Sequence, residues 1–228
     1  MVKTNVGIVG CGKWGKVLIK ELKKICNIKF IYNSKNNYKK YDKNIDWIFI
    51  LTPNNTHFRL VKFFLEKKIN VFCEKPLTYS TEKARQLISI ANKNDVKIYI
   101  SDLEKYKRKK INIKTINTII RTKIDAGTSF SLLDRLAYHD FYLVKKNLKL
   151  SEIISINGTK NLKSIKFNIL LKKRLIFKFY YDINNTKKEH LINNVNFYKF
   201  GNNPVYEMLN SVLYKKINFK KNNEDAIY

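Results

Sequence analysis

Short apolar runs alternate with helical patterns through the first hundred residues. Amphipathic helices are predicted over residues 56–68 and 80–94, the second with Ser80 as its capping residue. The runs that are apolar enough for buried strands are Val6–Val9, Lys29–Tyr32, Trp47–Leu51, Asn70–Cys73 and Lys97–Ile100. Strands of this kind, separated by helices, form a parallel sheet with helices on both faces. The pattern therefore predicts an α/β fold with a doubly wound parallel sheet.

The period of the pattern changes beyond residue 150. Apolar and polar side chains alternate over residues 165–171 and again over 175–183, with a turn-like Lys-Lys-Arg segment between the two runs. A period of two predicts strands with one buried face, and the short connection predicts that they pair as an antiparallel hairpin.

The C-terminal half is predicted to form a second, smaller α+β domain. A further strand is predicted over residues 196–200, and a closing helix over 205–214 after Pro204. No linker rich in proline or glycine separates the two patterns, so the boundary follows the change of pattern alone. We expect one domain over residues 1–102 and the other over residues 103–228.

Four of the seven glycines lie within the first fifteen residues, and three of them lie between the first predicted strand and a further helix. That helix is predicted from the helical spacing of the apolar residues Trp14, Val17, Leu18, Leu22 and Ile25. Gly10, Gly12 and Gly15 form the pattern G-x-G-x-x-G. In this setting the first glycine allows the tight turn, the second lets a diphosphate touch the backbone, and the third lets the helix pack against the strand. The turn predicts a dinucleotide site, and it includes Cys11, Lys13 and Trp14.

Two of the three prolines lie in loops that follow predicted strands. The segment ILTPNNTHF contains Pro53, and VFCEKPLT contains Pro76. Proline ends a strand's hydrogen-bond ladder, so both loops leave the carboxyl edge of the parallel sheet. An open α/β sheet binds its ligand at that edge.

The segments GIVGCGKWG, TPNNTH and CEKP, in this order and at these separations, resemble the Gfo/Idh/MocA family of glucose–fructose oxidoreductase and inositol dehydrogenase relatives. The following TYSTEKARQLISIAN also resembles the family, and the similarity extends over residues 5–101. It implies an NAD(P)-binding Rossmann domain joined to a domain with an open, mostly antiparallel sheet. That second sheet carries substrate in the family and often forms a homo-oligomer interface.

The resemblance is fainter in the second half of the chain. The segments LLDRLAYHDFYL at 132–143 and NPVYEMLNSVL at 203–213 are similar to the family's Asp-x-x-x-His sequence and to its C-terminal region. Here Asp134 and His139 are five residues apart rather than four. On a helix the extra residue rotates Asp134 about 100° further from His139 than the family spacing does. The second domain is also shorter than is usual in the family.

The resemblance implies that Lys75 lies beside the nicotinamide and the reacting carbinol, where a partly desolvated lysine can act as a base. His139 is similar to the family's second acid or base. Asp140 or Asp134 could orient the His139 ring. No role is predicted for His190, which lies in a polar segment.

The remaining predicted cofactor contacts come from three loops. After the second strand stand Asn33, Ser34 and Lys35, where an NAD-specific enzyme usually has an acidic residue for the ribose 2′-hydroxyl. Because no carboxylate there would repel a 2′-phosphate, NADP is slightly preferred over NAD. The other predicted contacts, including Lys75 itself, are Thr52, Pro53, Asn54, His57, Glu74 and Pro76.

Composition limits the classes of partner. The formal net charge of +28 could suit nucleic acid, but only six of the 46 basic residues are arginine and the lysines are spread over the whole chain. Cys11, Cys26 and Cys73 have neither metal-ligand spacing nor the number needed for a disulfide framework. No segment approaches the ~20 apolar residues of a membrane helix. We expect a cytoplasmic protein without a metal, a membrane or a specific nucleic-acid partner.

The sequence thus predicts an oxidoreductase that moves a hydride between nicotinamide and a carbinol or keto carbon of a sugar, cyclic polyol or nucleotide-linked sugar. Lys75, His139 and Asp134 are the predicted catalytic residues. The alternative is a reduced homologue that binds dinucleotide as a sensor or structural subunit, because the second domain is short and Asp134 is displaced.

Overall fold

A computed structural model gives the architecture of the chain. Contacts divide it into two compact units, Met1–Tyr106 with Asn203–Tyr228, and Lys107–Asn202. The structure describes residues 3–106, 117–122, 140–141, 144, 148–172, 176–184, 186–196, 203–215 and 217–227.

The first unit is built on a parallel five-stranded sheet. Its strands are β1 (Asn5–Val9), β2 (Asn27–Tyr32), β3 (Trp47–Ile50), β4 (Asn70–Cys73) and β5 (Ile98–Ile100), in the order β2-β1-β3-β4-β5. Its helices are α1 (Lys13–Ile25), α2 (His57–Glu66), α3 (Thr81–Lys93), α4 (Pro204–Tyr214) and α5 (Phe219–Ile227). The five predicted strands and the first two amphipathic helices predicted from the pattern are confirmed, with ends that move by one or two residues. Ser80 caps α3 as predicted, accepting a hydrogen bond from the Lys83 amide at 3.2 Å.

Apolar side chains cover both faces of this sheet, which confirms the doubly wound Rossmann architecture. On one face Ile48 and Ile50 pack with Val61 and Phe64 of α2 and with Leu87 of α3. On the other face Ile8 and Phe49 of the sheet pack in one buried cluster with side chains of α1 and α4, namely Leu18, Leu22, Met208 and Leu209. Burial on both faces explains why β1, β3, β4 and β5 read as nearly continuous apolar runs, whereas the edge strand β2 is partly exposed.

The C-terminal helices belong to the first unit, whereas the sequence-based boundary places them in the second domain. The apolar stripe of α4, which includes Val205, Met208 and Val212, is buried in the core that α1 also covers. Helix α5 protects the edge of the sheet. The Asn222 carboxamide accepts from the Ile100 amide at 2.8 Å and donates to the Ile100 carbonyl at 2.9 Å, so it bonds to β5 as a neighbouring strand would.

The second unit is built on a six-stranded mixed sheet. Its strands are β6 (Thr118–Thr122), β7 (Ile153–Lys160), β8 (Ser164–Leu171), β9 (Ile176–Asp182), β10 (Glu189–Ile192) and β11 (Val195–Asn196), in the order β11-β10-β6-β9-β8-β7. All neighbours are antiparallel except β6 and β9, so the expectation of a mostly antiparallel sheet is confirmed.

The predicted hairpin is present as β8 and β9, and stacked rings fill its buried face. Phe167 and Phe179 face each other with ring centroids 4.7 Å apart, and Tyr181 continues the row. The strand predicted over residues 196–200 begins earlier, at Val195, and residues 197–200 lie outside the described part of the chain. None of the helices within the described ranges has the length and apolar character needed to cross a membrane.

A charged cluster lies buried in the second unit. Arg121 of β6 makes two hydrogen bonds to the Asp140 carboxylate, at 2.8 and 3.2 Å, and His190 of β10 contacts the same carboxylate at 2.8 Å. All three residues are at most 5% exposed. Burial would raise the pKa of Asp140, but the Arg121 guanidinium and His190 together hold it below its ordinary value. His190, for which the sequence predicts no role, is thus a buried partner of Asp140 inside the second unit.

Replacing Arg121 by methionine should destabilise the protein by about 3 kcal/mol at neutral pH, because it leaves the Asp140 carboxylate buried without its cation. An acid with a lowered pKa stabilises the fold above its unfolded-state pKa and loses that contribution as the pH falls. The difference between wild type and Arg121→Met should therefore shrink towards acid pH in urea unfolding curves.

The matched control is Arg85→Met on the exposed face of α3, which should change the free energy of unfolding by less than about 0.5 kcal/mol. Equal stability of the two variants at neutral pH would contradict the role of the cluster.

Candidate functional site

Four loops that contain the predicted site residues leave the carboxyl ends of adjacent parallel strands. They are Gly10–Gly15 after β1, Asn33–Lys35 after β2, Thr52–His57 after β3 and Glu74–Pro76 after β4. Strand β2 lies on one side of β1 and strand β3 on the other, so the strand order reverses at β1. A reversal of this kind opens the crevice in which α/β sheets bind ligands.

Two glycines of the turn lie close to neighbouring backbone atoms, and the third faces open space. Gly10 has φ +110°, and a Cβ there would lie 2.5 Å from the Leu51 backbone. A Cβ on Gly15 would lie 2.8 Å from the Gly10 carbonyl oxygen, whereas a Cβ on Gly12 would meet nothing within 4 Å. Gly12 is also the N-cap of α1 and provides no side chain to cap the first amides of the helix. This open, uncapped helix start fits a diphosphate, which such amides bind.

The turn after β2 is closed by its own side chains. The Asn33 Oδ1 atom accepts from the Lys35 amide, and the Asn36 Oδ1 atom accepts from the Asn33 amide, both at 2.8 Å. Asn33, Ser34 and Lys35 are all exposed. The Asn33 oxygen thus accepts a hydrogen bond within the turn. Lys35 is exposed, and residues 33–36 contain no carboxylate.

Hydrogen bonds join the loop after β3 to the loop after β4. His57 is fully buried, and its two ring nitrogens each lie 2.9 Å from a backbone carbonyl oxygen, Nε2 from Thr52 and Nδ1 from Pro76. Asn54 donates to the Tyr79 hydroxyl at 2.8 Å. Sequence reasoning grouped His57 and Asn54 with the cofactor contacts, and the structure uses both side chains to connect the loops. Tyr79 was missed, because an exposed tyrosine five residues after the CEKP glutamate gives no signal of a partner in another loop.

Trp14 and Glu74 connect the glycine turn to the loop after β4. The Trp14 indole donates to Glu74 Oε1 at 2.8 Å. Burial raises the pKa of Glu74 above its ordinary value, although the Trp14 indole, Ser101 and Lys75 oppose that shift. Lys75 follows, partly buried, with its amide 3.3 Å from Glu74 Oε2. The residues predicted after β1, β3 and β4 are therefore brought together at one edge.

The other two predicted catalytic residues, Asp134 and His139, lie outside the described residues. The neighbouring Asp140 is described, and its carboxylate is bonded to Arg121 and His190.

Comparison with known proteins shows what part of the first unit is similar to. The family described as "Oxidoreductase family, NAD-binding Rossmann fold" matches residues 26–101, about a third of the chain, and confirms the resemblance indicated by the motifs. An uncharacterized oxidoreductase of Bacillus subtilis, YrbE, is 25% identical over 131 residues, which are 48% of this chain and 38% of that protein. The D-xylose 1-dehydrogenase (NADP(+)) of Hypocrea jecorina is 30% identical over 90 residues, 37% of this chain and 23% of that protein. The chain thus matches well under half the length of either relative.

Solved structures share the whole fold. The UDP-N-acetylglucosamine 3-dehydrogenase GnnA from Acidithiobacillus ferrooxidans superposes with a TM-score of 0.78 at 14% sequence identity, covering 100% of this chain and 95% of that one. The likeness extends over both units, so the second unit also has a fold found in this group of structures.

Two glycine variants should separate folding from ligand binding. Gly12→Ala places its Cβ in open space, so we expect unchanged stability but a roughly 10-fold or greater loss of affinity for a nicotinamide dinucleotide, whose diphosphate needs that space. Gly10→Ala should instead lower the melting temperature, because of its positive φ and the contact with Leu51. Calorimetric titration and thermal unfolding measure the two effects. Full affinity in Gly12→Ala would contradict the diphosphate site.

Proposed function

We propose, from the confirmed resemblance of its first unit to the Gfo/Idh/MocA oxidoreductases, that this chain is an NAD(P)-dependent oxidoreductase. It transfers a hydride between nicotinamide and a carbinol or keto carbon of a sugar, a cyclic polyol or a nucleotide-linked sugar. One observation carries the proposal: the uncapped glycine turn and Lys75 lie on loops of the same sheet edge, joined by the Trp14–Glu74 hydrogen bond. The shared fold with a nucleotide-sugar dehydrogenase supports the substrate class.

The first unit supplies a binding surface and a proton-transfer group. The amides at the start of α1, beside Gly12, would hold the diphosphate, and the bound nicotinamide would supply hydride transfer. Oxidation of a carbinol also removes the hydroxyl proton, which a group of the protein must accept within about 2.6–3.2 Å. Lys75 is the residue of this edge whose amino group performs that transfer.

The second unit is proposed to contribute the other acid or base. Resemblance assigns this role to His139, with Asp134 as its partner. Both assignments follow from the resemblance, and Asp134 stands one position away from the family's spacing relative to His139.

The cofactor preference is proposed to lie with the turn after β2. Ser34 and Lys35 are exposed there, and no carboxylate of residues 33–36 would repel a 2′-phosphate. The Asn33 oxygen already accepts from the Lys35 amide, and as a neutral carboxamide oxygen it is a weaker acceptor for a 2′-hydroxyl than the carboxylate of NAD-specific turns. A relative that matches in sequence is named for its use of NADP(+).

Lys75→Met should bind the reduced cofactor as the wild type does and lose about 100-fold or more in kcat, which is the scale of general acid–base catalysis. The assay follows absorbance at 340 nm with a panel of sugars, polyols and nucleotide sugars. Lys93→Met, at an exposed position of α3, is the matched control and should keep full activity. Unchanged turnover in Lys75→Met would remove the assignment. Cofactor binding by the wild type without turnover on any substrate would favour the sensor alternative.

Lys35→Ala should weaken NADPH binding by roughly 10-fold and leave NADH binding nearly unchanged, because it removes a cation that would pair with the 2′-phosphate. The control is Lys39→Ala, an exposed lysine four residues on. Fluorescence titration with both reduced cofactors measures the ratio, and an equal change for NADPH and NADH would contradict the preference.

A further inference from the structure

Lys75 stands between two residues that are each held by a different loop. The residue before it, Glu74, is bonded to the glycine turn through Trp14, and the residue after it, Pro76, is bonded to the loop after β3 through His57. The proposed catalytic lysine is thus flanked on both sides by contacts that originate elsewhere in the sequence.

The contact before Lys75 is a carboxylate that bonds in two directions. Glu74 Oε1 accepts from the Trp14 indole at 2.8 Å, and Glu74 Oε2 lies 3.3 Å from the backbone amide of Lys75. The Glu74 backbone is itself fixed, because its amide donates to the Ile50 carbonyl at 3.0 Å. A displacement of the indole is therefore transmitted through one side chain to the peptide group of Lys75.

The contact after Lys75 is a buried imidazole between two carbonyls. His57 bridges Thr52 and Pro76 at 2.9 Å on each side and is 0% exposed. A neutral ring carries one N–H and donates to one of these carbonyls, whereas the imidazolium donates to both. Since both ring nitrogens face the backbone, the His57 side chain holds the loops together rather than facing the crevice.

We propose that Trp14 and His57 are positioning residues that fix the backbone on either side of Lys75, Trp14 through the Glu74 carboxylate and His57 through the Pro76 carbonyl. The inference rests on the proposed role of Lys75. It assigns both side chains a function distinct from contact with the dinucleotide.

The kinetic consequence follows from the geometry of proton transfer. The Lys75 amino group has to lie within hydrogen-bond reach of the substrate hydroxyl, and a displacement of about 1 Å can cost on the order of 100-fold in rate. The diphosphate site is set by the glycine backbone, so loss of either contact should lower kcat far more than it weakens cofactor binding.

Two variants test the proposal. Trp14→Phe keeps an aromatic ring and removes the N–H donor, and His57→Gln replaces two opposed ring nitrogens by one amide nitrogen. Trp47→Phe is the matched control, because the other tryptophan of the chain is buried at the start of β3, at the opposite edge of the sheet. Each variant is measured for NADPH affinity, for kcat and KM, and for amide hydrogen exchange of a peptide that spans residues 74–79.

We expect Trp14→Phe and His57→Gln each to lower kcat by about 10-fold or more, with NADPH affinity within roughly threefold of wild type. Exchange of the 74–79 amides should be faster in both variants and unchanged in Trp47→Phe. Wild-type kcat and exchange in Trp14→Phe and His57→Gln would overturn the inference while Lys75→Met still tests the proposed function. If the wild type turns over no substrate, the proposed function fails, and the exchange rates alone decide whether these residues fix the loop. If His57→Gln does not fold, the same readouts on Trp14→Phe decide.

Discussion

The close approach of two backbones at the carboxyl edge of the parallel sheet is the constraint on which the first unit depends. The turn after β1 passes so near the Leu51 backbone that a side-chain carbon on Gly10 would lie 2.5 Å from it. The chain can make that turn because Gly10 takes a positive φ, and α1 then starts at once with its first amides uncapped. Gly15 packs back against the Gly10 carbonyl, so helix, turn and β3 loop are in contact.

Around this contact the loops of the edge bond to one another as well as to the sheet. Indole, imidazole, carboxamide and carboxylate groups from the loops after β1, β3 and β4 find their partners in neighbouring loops. Such bonds join loops that follow different strands. They therefore fix the positions of these loops relative to one another, which the sheet alone does not determine. A site that needs a proton-transfer group at a set distance from a bound dinucleotide benefits from this arrangement, because misplacement costs rate.

Polar groups find their hydrogen-bond partners in different ways in the two units. At the edge of the first sheet, Asn222 satisfies a backbone donor and acceptor of β5 and ends the sheet without another strand. In the second unit, an arginine, an aspartate and a histidine form a buried cluster in which the cation holds the pKa of the acid down. A buried cluster of this kind differs from the scattered surface lysines that give the chain its charge of +28.

The sequence by itself determined the elements that depend on a local pattern of side chains, which are the strands, the hairpin and the glycine turn. Continuous apolar runs identified the five parallel strands, a period of two identified the β8–β9 hairpin, and glycine spacing marked the turn where φ is positive. Each of these signals lies within a few residues of the feature it predicts. The edge at which Lys75, the glycine turn and the TPNNTH loop meet also followed, because parallel strands put their carboxyl ends on one side.

Tertiary structure alone decided the contacts between distant segments. The C-terminal helices join the first sheet because the apolar stripe of α4 fits the face that α1 leaves uncovered, and no local signal says which core a helix will enter. Strand β7 was missed because it is an edge strand with mostly exposed side chains, so its pattern lacks a buried face. The burial of His190 also had no local signal, because its partners Arg121 and Asp140 are 69 and 50 residues away in sequence and meet it only in the folded unit.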